Sequence, residues 1–587
     1  MKNQGEKPGR TADANSLPPK IRARYQVLPA VDKDGLAPEV RTQVNNLQAF
    51  SEKLIEENNG LREENAHLKD EVAVLKGEKK RPVFKPSRMN EEAGKSNKTQ
   101  AESQVEGQVE GQEESQKRPK RAGSAKRSKT AQLEIHYDKI IQPTEPVPPG
   151  SRFKGYRDYT VQDIVITPVN TRYRLAHWQT PDGRHLTGEL PKAQQGSHFG
   201  PNLVSYVLYQ HHHCHVTQPL LHEQLREWKI DISSGQVNTL LLGDKARFHE
   251  EKDAILSTGL ALSAYVNVDD TGARHQGNNG YVTHIGNQYF AWFQSSASKS
   301  RINFLEILRA GQTNYRINTD ALDYMKKQGL SKVFLDAFSS HPMVDFANKA
   351  AWEGHMKALS MDTPRYRRIA TEGALLGSLS GLHIAKDLVI MSDDAGQFNV
   401  LLHGLCWVHA ERLVHKMLPL NDQHRVDIAL VRSQIWGLYA DLKAYKEHPA
   451  EELKDSLRNR FDAIFTQKTS YASLNRLLLR LHHNKSELLL VLDRPEIPLH
   501  NNDSEGDIRG HVLKQKISGG TRSDPGQKCR DTFSSLKKTC RKLGISFWCY
   551  LTDRLSFSDH IQPLNHIIEQ RIASTQNSSA NPLASVF

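Results

Sequence analysis

Apolar positions first repeat in this chain with a period of seven. Val40, Leu47, Leu54, Leu61, Leu68 and Leu75 stand seven apart. With these at heptad position d, the a positions are Val44, Ser51, Asn58, Asn65 and Val72. Leu at d with Asn at a predicts a parallel two-stranded coiled coil over residues 36–78, because paired Asn side chains can hydrogen-bond across a dimer seam. Leu47, Leu54, Leu61, Leu68 and Leu75, with Asn58 and Asn65, are the expected dimerisation residues. The alternative, an amphipathic helix packed on its own domain, has only this narrow seam to bury. Residues 1–35 are polar and Pro/Gly-containing, and read as disordered. Residues 79–150 offer few apolar positions for a core and read as a linker.

The period then changes. YTVQDIVI and TRYRLAHWQ are rich in β-branched and aromatic residues and PDGR is a turn signal, which predicts a small β-rich unit over residues 151–195. Residues 196–257 read as helical, with two helices separated by a break at Lys229–Ser234 and a cap at Ser233 or Ser234, a helix-turn-helix candidate. From residue 258 the pattern is mixed α/β. LSAYVNVDDTGA, GYVTHIGN and YFAWFQSS read as three strands in a meander, SRINFLEIL begins a helix, and KDLVIMSDDAGQF returns to a strand. RSQIWGLYADLKAYK and SLNRLLLRLHHNKSELLLVL carry leucine stripes at helical spacing. Residues 553–587 read as a C-terminal tail.

Composition narrows the class. The 587 residues hold 79 Lys and Arg against 67 Asp and Glu, a net charge of +12, which favours an anionic partner, nucleic acid first. That charge is uneven. The runs 79–88, 117–129 and 507–542 are +5, +7 and +7, whereas Leu47–Glu78 is −4 and Glu91–Glu114 is −5. Five scattered Cys suit a reducing compartment, no apolar run is long enough to span a membrane, and the N-terminus lacks an apolar signal core. The expected location is cytoplasmic.

Candidate chemistry lies in acids at element ends. Asp269 and Asp270 end one strand, Asp393 and Asp394 another, and Glu505 opens a later helix. Three carboxylates converging this way would supply the hard oxygen ligands that Mg²⁺ or Mn²⁺ prefers, and two such ions can drive phosphodiester chemistry. Acidic pairs at strand ends are also ordinary turn residues. His211–His215 (HHHCH) is a possible metal cluster, although adjacent His residues diverge on a helix. Cys406 and His409 make half a tetrahedral zinc site, with His403 and His415 nearby; equally, the motif can simply open a helix.

These motifs, in this order, resemble the insertion-sequence-66 family of transposases, DDE-type enzymes with an RNase H-like catalytic core. VDDTGA resembles the first-acid motif, with Asp270 where Glu is usual. MSDDAGQF resembles the second, CWVHAERLVHK the following Cys-x-x-His segment, and NNDSEGDIRGHVLKQK the third. There Asn501 and Asn502 match, while His500 and Gly506 replace a common Asp and Arg. TFSSLKKTCRKLGISFWCYL resembles the family's C-terminal helix. The resemblance implies catalytic, metal-binding roles for Asp269, Asp393 and Glu505, with Asp270, Asp394, Asn501, Asn502, Cys406 and His409 as supporting candidates. It implies an α/β RNase H-like core over residues 258–410 and 496–552. The intervals of 124 residues from Asp269 to Asp393 and 112 to Glu505 make residues 411–495 a helical insertion. The family's Cys-rich zinc-finger-like segment finds no Cys in residues 151–195.

The expected activity is metal-dependent 3′-end cleavage and strand transfer of an insertion sequence. The alternatives are a catalytically inactive dimeric regulator and a nuclease that cuts without joining. Expected partners are transposon-end and target DNA, a second copy through the coiled coil, and accessory proteins of the element. In the basic block after Glu505, Arg509, Lys514, Lys516 and Arg522 are the expected phosphate contacts.

Overall fold

The structure is a computed structural model that describes residues 133–340, 344–380, 382, 384–385 and 387–580. The heptad segment and the linker runs up to residue 132 lie outside the described residues. The chain divides into two units, residues 1–164 and 165–587.

In the first unit, residues 133–164 contain no helix or strand. The strand expected at YTVQDIVI is therefore absent. Among the described residues no layer faces its apolar side chains, and Tyr159, Val161 and Ile164 stay exposed. In the second unit, the expected β unit reduces to one solvent-exposed hairpin, β1 (His177–Gln179) and β2 (His185–Thr187), across the PDGR turn.

Four helices follow: α1 (Pro201–His212), α2 (Gln218–Glu227), α3 (Ser234–Leu242) and α4 (Ala246–Leu262). The break between α2 and α3 ends in a capping box. The Ser233 hydroxyl accepts from the Gln236 N–H and the Gln236 side chain accepts from the Ser233 N–H, satisfying two otherwise orphaned donor groups. Leu221, Leu225, Ile232, Val237 and Leu241 are buried between the two helices, which leaves Gln236, Asn238 and Thr239 of α3 facing out.

The central sheet begins with the meander β3 (Tyr265–His275), β4 (Asn278–Gly286) and β5 (Ala291–Ser296). Next come α5 (Arg301–Leu308), β6 (Tyr315–Arg316), α6 (Thr319–Lys327), α7 (Lys332–Ser340), β7 (Asp345–Phe346), α8 (Lys349–Ala358) and α9 (Pro364–Leu379). Strands β8 (Val389–Ser392) and β9 (Leu402–Leu405) then rejoin the sheet. The order is β5-β4-β3-β8-β9, with β3, β4 and β5 antiparallel and β8 and β9 parallel to β3. The parallel step needs a crossover, and α5–α9 supply it.

After β9 run α10 (Trp407–His415), α11 (Asp422–Glu447), α12 (Glu451–Thr466), α13 (Ala472–His483) and the short α14 (Lys485–Leu488). They build a core of their own around Trp407, Phe461, Phe465 and Leu478, which also takes in Val389 and Met391 of β8. Because side chains alternate along a strand, the other sheet face turns Val266, Val268 and Ile390 into the larger core formed with α1–α9.

The chain ends with α15 (Asn502–Ser518), α16 (Asp524–Lys542), α17 (Phe547–Ser556) and α18 (Leu564–Ala580). Residues 564–580 are thus a helix rather than the expected tail. Leu564, Ile568 and Ile572, spaced by four, are buried in the larger core. Helix α16 covers the free edge of the sheet. From its positions 531, 535 and 539, Asp531 accepts from the Ser295 N–H (2.7 Å), Ser535 from the Phe293 N–H (2.9 Å) and Thr539 from the Ala291 N–H (3.2 Å). The donors that would template edge-to-edge pairing are used up. Among the described residues no helix is long and apolar enough to cross a membrane.

Candidate active site

The sheet register brings the acids together. Asn267 of β3 lies opposite Met391 of β8, so Asp269 and Asp393 each stand two residues beyond that rung. A period of two keeps them on one face, on strands that neighbour each other. On the other side of β3, Asp269 lies opposite His284 of β4. Helix α15 crosses this face, buries Ile508 against Val282 and Phe293, and carries Glu505 in its first turn. There an acidic side chain is favoured by the helix dipole.

Asp269 is mostly buried. Burial pushes its carboxyl up to about 7, and the charges of Asp393, Asp270 and Glu505 add to the rise, against a 2.8 Å hydrogen bond from the Asp270 N–H. Glu505 points to α10, where its Oε1 is 3.2 Å from Nη1 of Arg412 and 3.5 Å from Nε2 of His409. Burial, then Arg412, holds the His409 imidazole below its ordinary range, and the charges of Glu505 and Asp393 oppose this.

In kind, this set suits a hard divalent cation: carboxylate oxygens, with Asp269 and Asp393 on one half-buried face of adjacent strands. In placement it is not yet a ligand sphere. Among the described residues no three His, Cys, Asp or Glu side chains are gathered closely enough to hold one ion. Glu505 is engaged by Arg412 and would have to turn from it.

The supporting candidates separate. Asp270 faces the opposite side of β3, accepts from Nε2 of Gln397 (2.6 Å) and lies 3.9 Å from Nζ of Lys299. Asp394 reaches Arg480 of α13 and Asn484, away from Asp269. Asn501 is buried and donates from Nδ2 to the Val268 carbonyl (2.7 Å), tying the start of α15 to β3 beside Asp269. Asn502 is the first residue of α15. Cys406 is buried at the N-cap of α10, where its sulfur accepts from the Asn501 N–H (3.3 Å) and burial pushes its thiol up to about 11. His403 pairs instead with the Ser392 hydroxyl (2.8 Å). In His211–His215 the rings diverge, His212 stacking on Phe533 and His213 on Tyr209.

Among the expected phosphate contacts, Arg509, Lys516 and Arg522 are exposed. Lys514 departs from that expectation. It is buried, and its Nζ donates to the His211 carbonyl (2.6 Å) at the C-terminus of α1; Lys537 does the same to His212 (2.8 Å). Both lysines fasten α1 to the core through these hydrogen bonds, and burial there pushes Lys514 down to about 7 and Lys537 to about 8. Residues that sequence reasoning passed over are Lys299, Gln397 and Arg412. Arg412 alone left a signal, one helical turn beyond His409 in the CWVHAERL segment.

The profile of a family described as Transposase IS66 family matches residues 361–529, which span Asp393 and Glu505. An uncharacterized protein, y4jO, of Sinorhizobium fredii (strain NBRC 101917 / NGR234), is 41% identical over 317 residues, 54% of this chain and 99% of that protein. The chain belongs to the IS66 transposase family.

Proposed function

We propose that this protein is a DDE-type DNA transposase that cleaves the 3′ ends of an insertion sequence and transfers them to target DNA, using Asp269, Asp393 and Glu505 as metal ligands. One observation carries the reading: the β3–β8 register sets Asp269 and Asp393 on one face of adjacent strands, and Asn501 ties the start of α15, which carries Glu505, to β3 beside Asp269. The sheet order, a three-stranded meander flanked by two parallel strands, is that expected of an RNase H-like core.

Bound Mg²⁺ or Mn²⁺, one ion or two, would supply Lewis acidity and a nucleophilic water at neutral pH. The chain's own residues do the rest. Asp269 and Asp393 present oxygens from adjacent strands. Arg412 and His409 hold Glu505 until a cation competes for it. Asp270, fixed by Gln397 on the far face, stiffens the strand that carries Asp269. The exposed Arg509 and Lys516 along α15, and Arg522 just after it, offer phosphate contacts. Asn238 and Thr239 on the outer face of α3 carry donors and acceptors of the kind that base edges require. The heptad segment at 36–78 joins two copies, so that two element ends meet in one complex.

The test is purified protein with Mg²⁺ or Mn²⁺ on linear DNA bearing the element's terminal repeats. The expected products are nicks at the 3′ ends, then joined strands. End binding without nicking would identify a regulator, and nicking without joining a nuclease. In the same system, Gln at Arg509, Lys516 or Arg522 is expected to weaken binding across all sequences and to lower the salt slope by about 1 each. Lys514→Met is expected to leave that slope unchanged, because its ammonium is spent on α1. Fluorescence anisotropy at several salt concentrations reads both.

A further inference from the structure

Helix α15 is held to the sheet by a buried polar set that the sequence motifs do not mark. Ser504, next to Glu505, has its hydroxyl 2.6 Å from Nδ1 of His284. The other ring nitrogen of His284, Nε2, lies 3.3 Å from Asp507. Asp507 in turn is 3.4 Å from Nζ of Lys538 and 3.0 Å from Nζ of Lys542, both on α16. His284 and Ser504 have no exposed surface and Asp507 very little. No substrate reaches Ser504, so the Ser-His-Asp sequence of contacts is not a nucleophilic triad. The tautomer that serves both neighbours carries its proton on Nε2, with the Ser504 hydroxyl donating to Nδ1.

The register gives this set its meaning. His284 is the residue directly opposite Asp269. Directly opposed residues of an antiparallel pair project from the same face, with Cβ atoms about 5 Å apart. One rung therefore carries a proposed metal ligand on β3 and, on β4, the imidazole that grips the helix turn holding another. On α15, Ser504, Asp507 and His511 line the buried face at spacings of three and four. Glu505, one residue on from Ser504, is turned about 100° away from it, toward α10. Rotation or sliding of α15 would move Glu505 relative to Asp269, and it would break the Ser504–His284 and Asp507–His284 contacts together.

We propose that His284, Ser504 and Asp507, closed by Lys538 and Lys542, are positioning residues that set Glu505 against Asp269 for metal binding. The proposal rests on the catalytic reading above. Removing a residue that orients metal ligands typically costs 10- to 100-fold in metal affinity.

The experiment measures Mn²⁺ binding to the purified full chain by electron paramagnetic resonance, beside the Mn²⁺ concentration for half-maximal nicking. Ser504→Ala removes one hydroxyl and should fold. It is expected to weaken Mn²⁺ binding about tenfold and to shift the nicking curve equally, while end-DNA affinity and circular dichroism stay as in the parent. Ser504→Thr, which keeps the hydroxyl, should restore both. Asp507→Asn should act in the same direction. Ser504→Ala with parental Mn²⁺ affinity, and only a lower melting temperature, would make the set purely structural and overturn the proposal alone. A parent that binds no Mn²⁺ would overturn the catalytic reading together with it.

Discussion

Asp269→Asn, Asp393→Asn and Glu505→Gln are each expected to lower metal-dependent cleavage on the order of 10³-fold or more, about 4 kcal/mol of transition-state stabilisation. Binding to element-end DNA should change little, because the exposed cations that would meet phosphates are separate side chains. The neighbouring acids supply the control. Asp394→Asn should retain near-parental cleavage, since Asp394 is spent on Arg480 and Asn484. Asp270→Asn should fall between, as it lies on the far face of β3 against Gln397. A gel assay of strand nicking ranks the five variants. Equal losses at Asp394 and Asp393 would mean that acidity near the sheet end matters, and not this set of three.

That ranking separates what sequence could and could not supply. The places of Asp393 and Glu505 were legible because a strand end and a helix start are local signals; Asp269 lies within β3, not at its end as expected, and only the order of the motifs marks it. Within each Asp pair, sequence could not choose by physics, because which member faces the site depends on register. Only the pairing of Asn267 with Met391 turns Asp269 and Asp393 to one side and leaves Asp270 on the other. Lys514 was misread for a similar reason. The nearby Arg509 and Lys516 are basic and exposed, whereas Lys514 is buried against α1, some 300 residues earlier. Arg412 left a local signal, one turn beyond His409, but its pairing with Glu505 shows only once α10 and α15 are assembled.

The helices tell the same story. The Ser233 cap and the stripes of α11 and α13 were readable from spacing. Helix α18 was missed because its Leu564, Ile568 and Ile572 count as a buried stripe only when the larger core is there to receive them. The converse failure is YTVQDIVI, which pairs with no strand among the described residues. Strand propensity expresses fit to a half-buried pleated surface, and without that surface it does not decide the conformation.

Asp269 should also make the metal-free protein pay in stability for its site. Its carboxyl sits at about 7 when folded against an ordinary 3.8, with burial the main cause. The folded state therefore holds this proton more tightly than the unfolded chain does. The resulting stabilisation is fully present below pH about 4 and is lost as pH rises to about 7, a span worth up to about 4 kcal/mol. Asp269→Asn keeps an oxygen for the Asp270 N–H and has no charge to bury. In chelator at pH 8 the variant is expected to be the more stable protein, by up to about 4 kcal/mol, with the difference vanishing near pH 4. Urea denaturation from pH 4 to pH 8 measures it. Adding Mn²⁺ at pH 8 should then raise the parent toward the variant, by mass action, and leave the variant where it was. A parent and variant with parallel pH profiles would show that Asp269 ionises without strain, and the case for a cation at this face would lose its electrostatic basis.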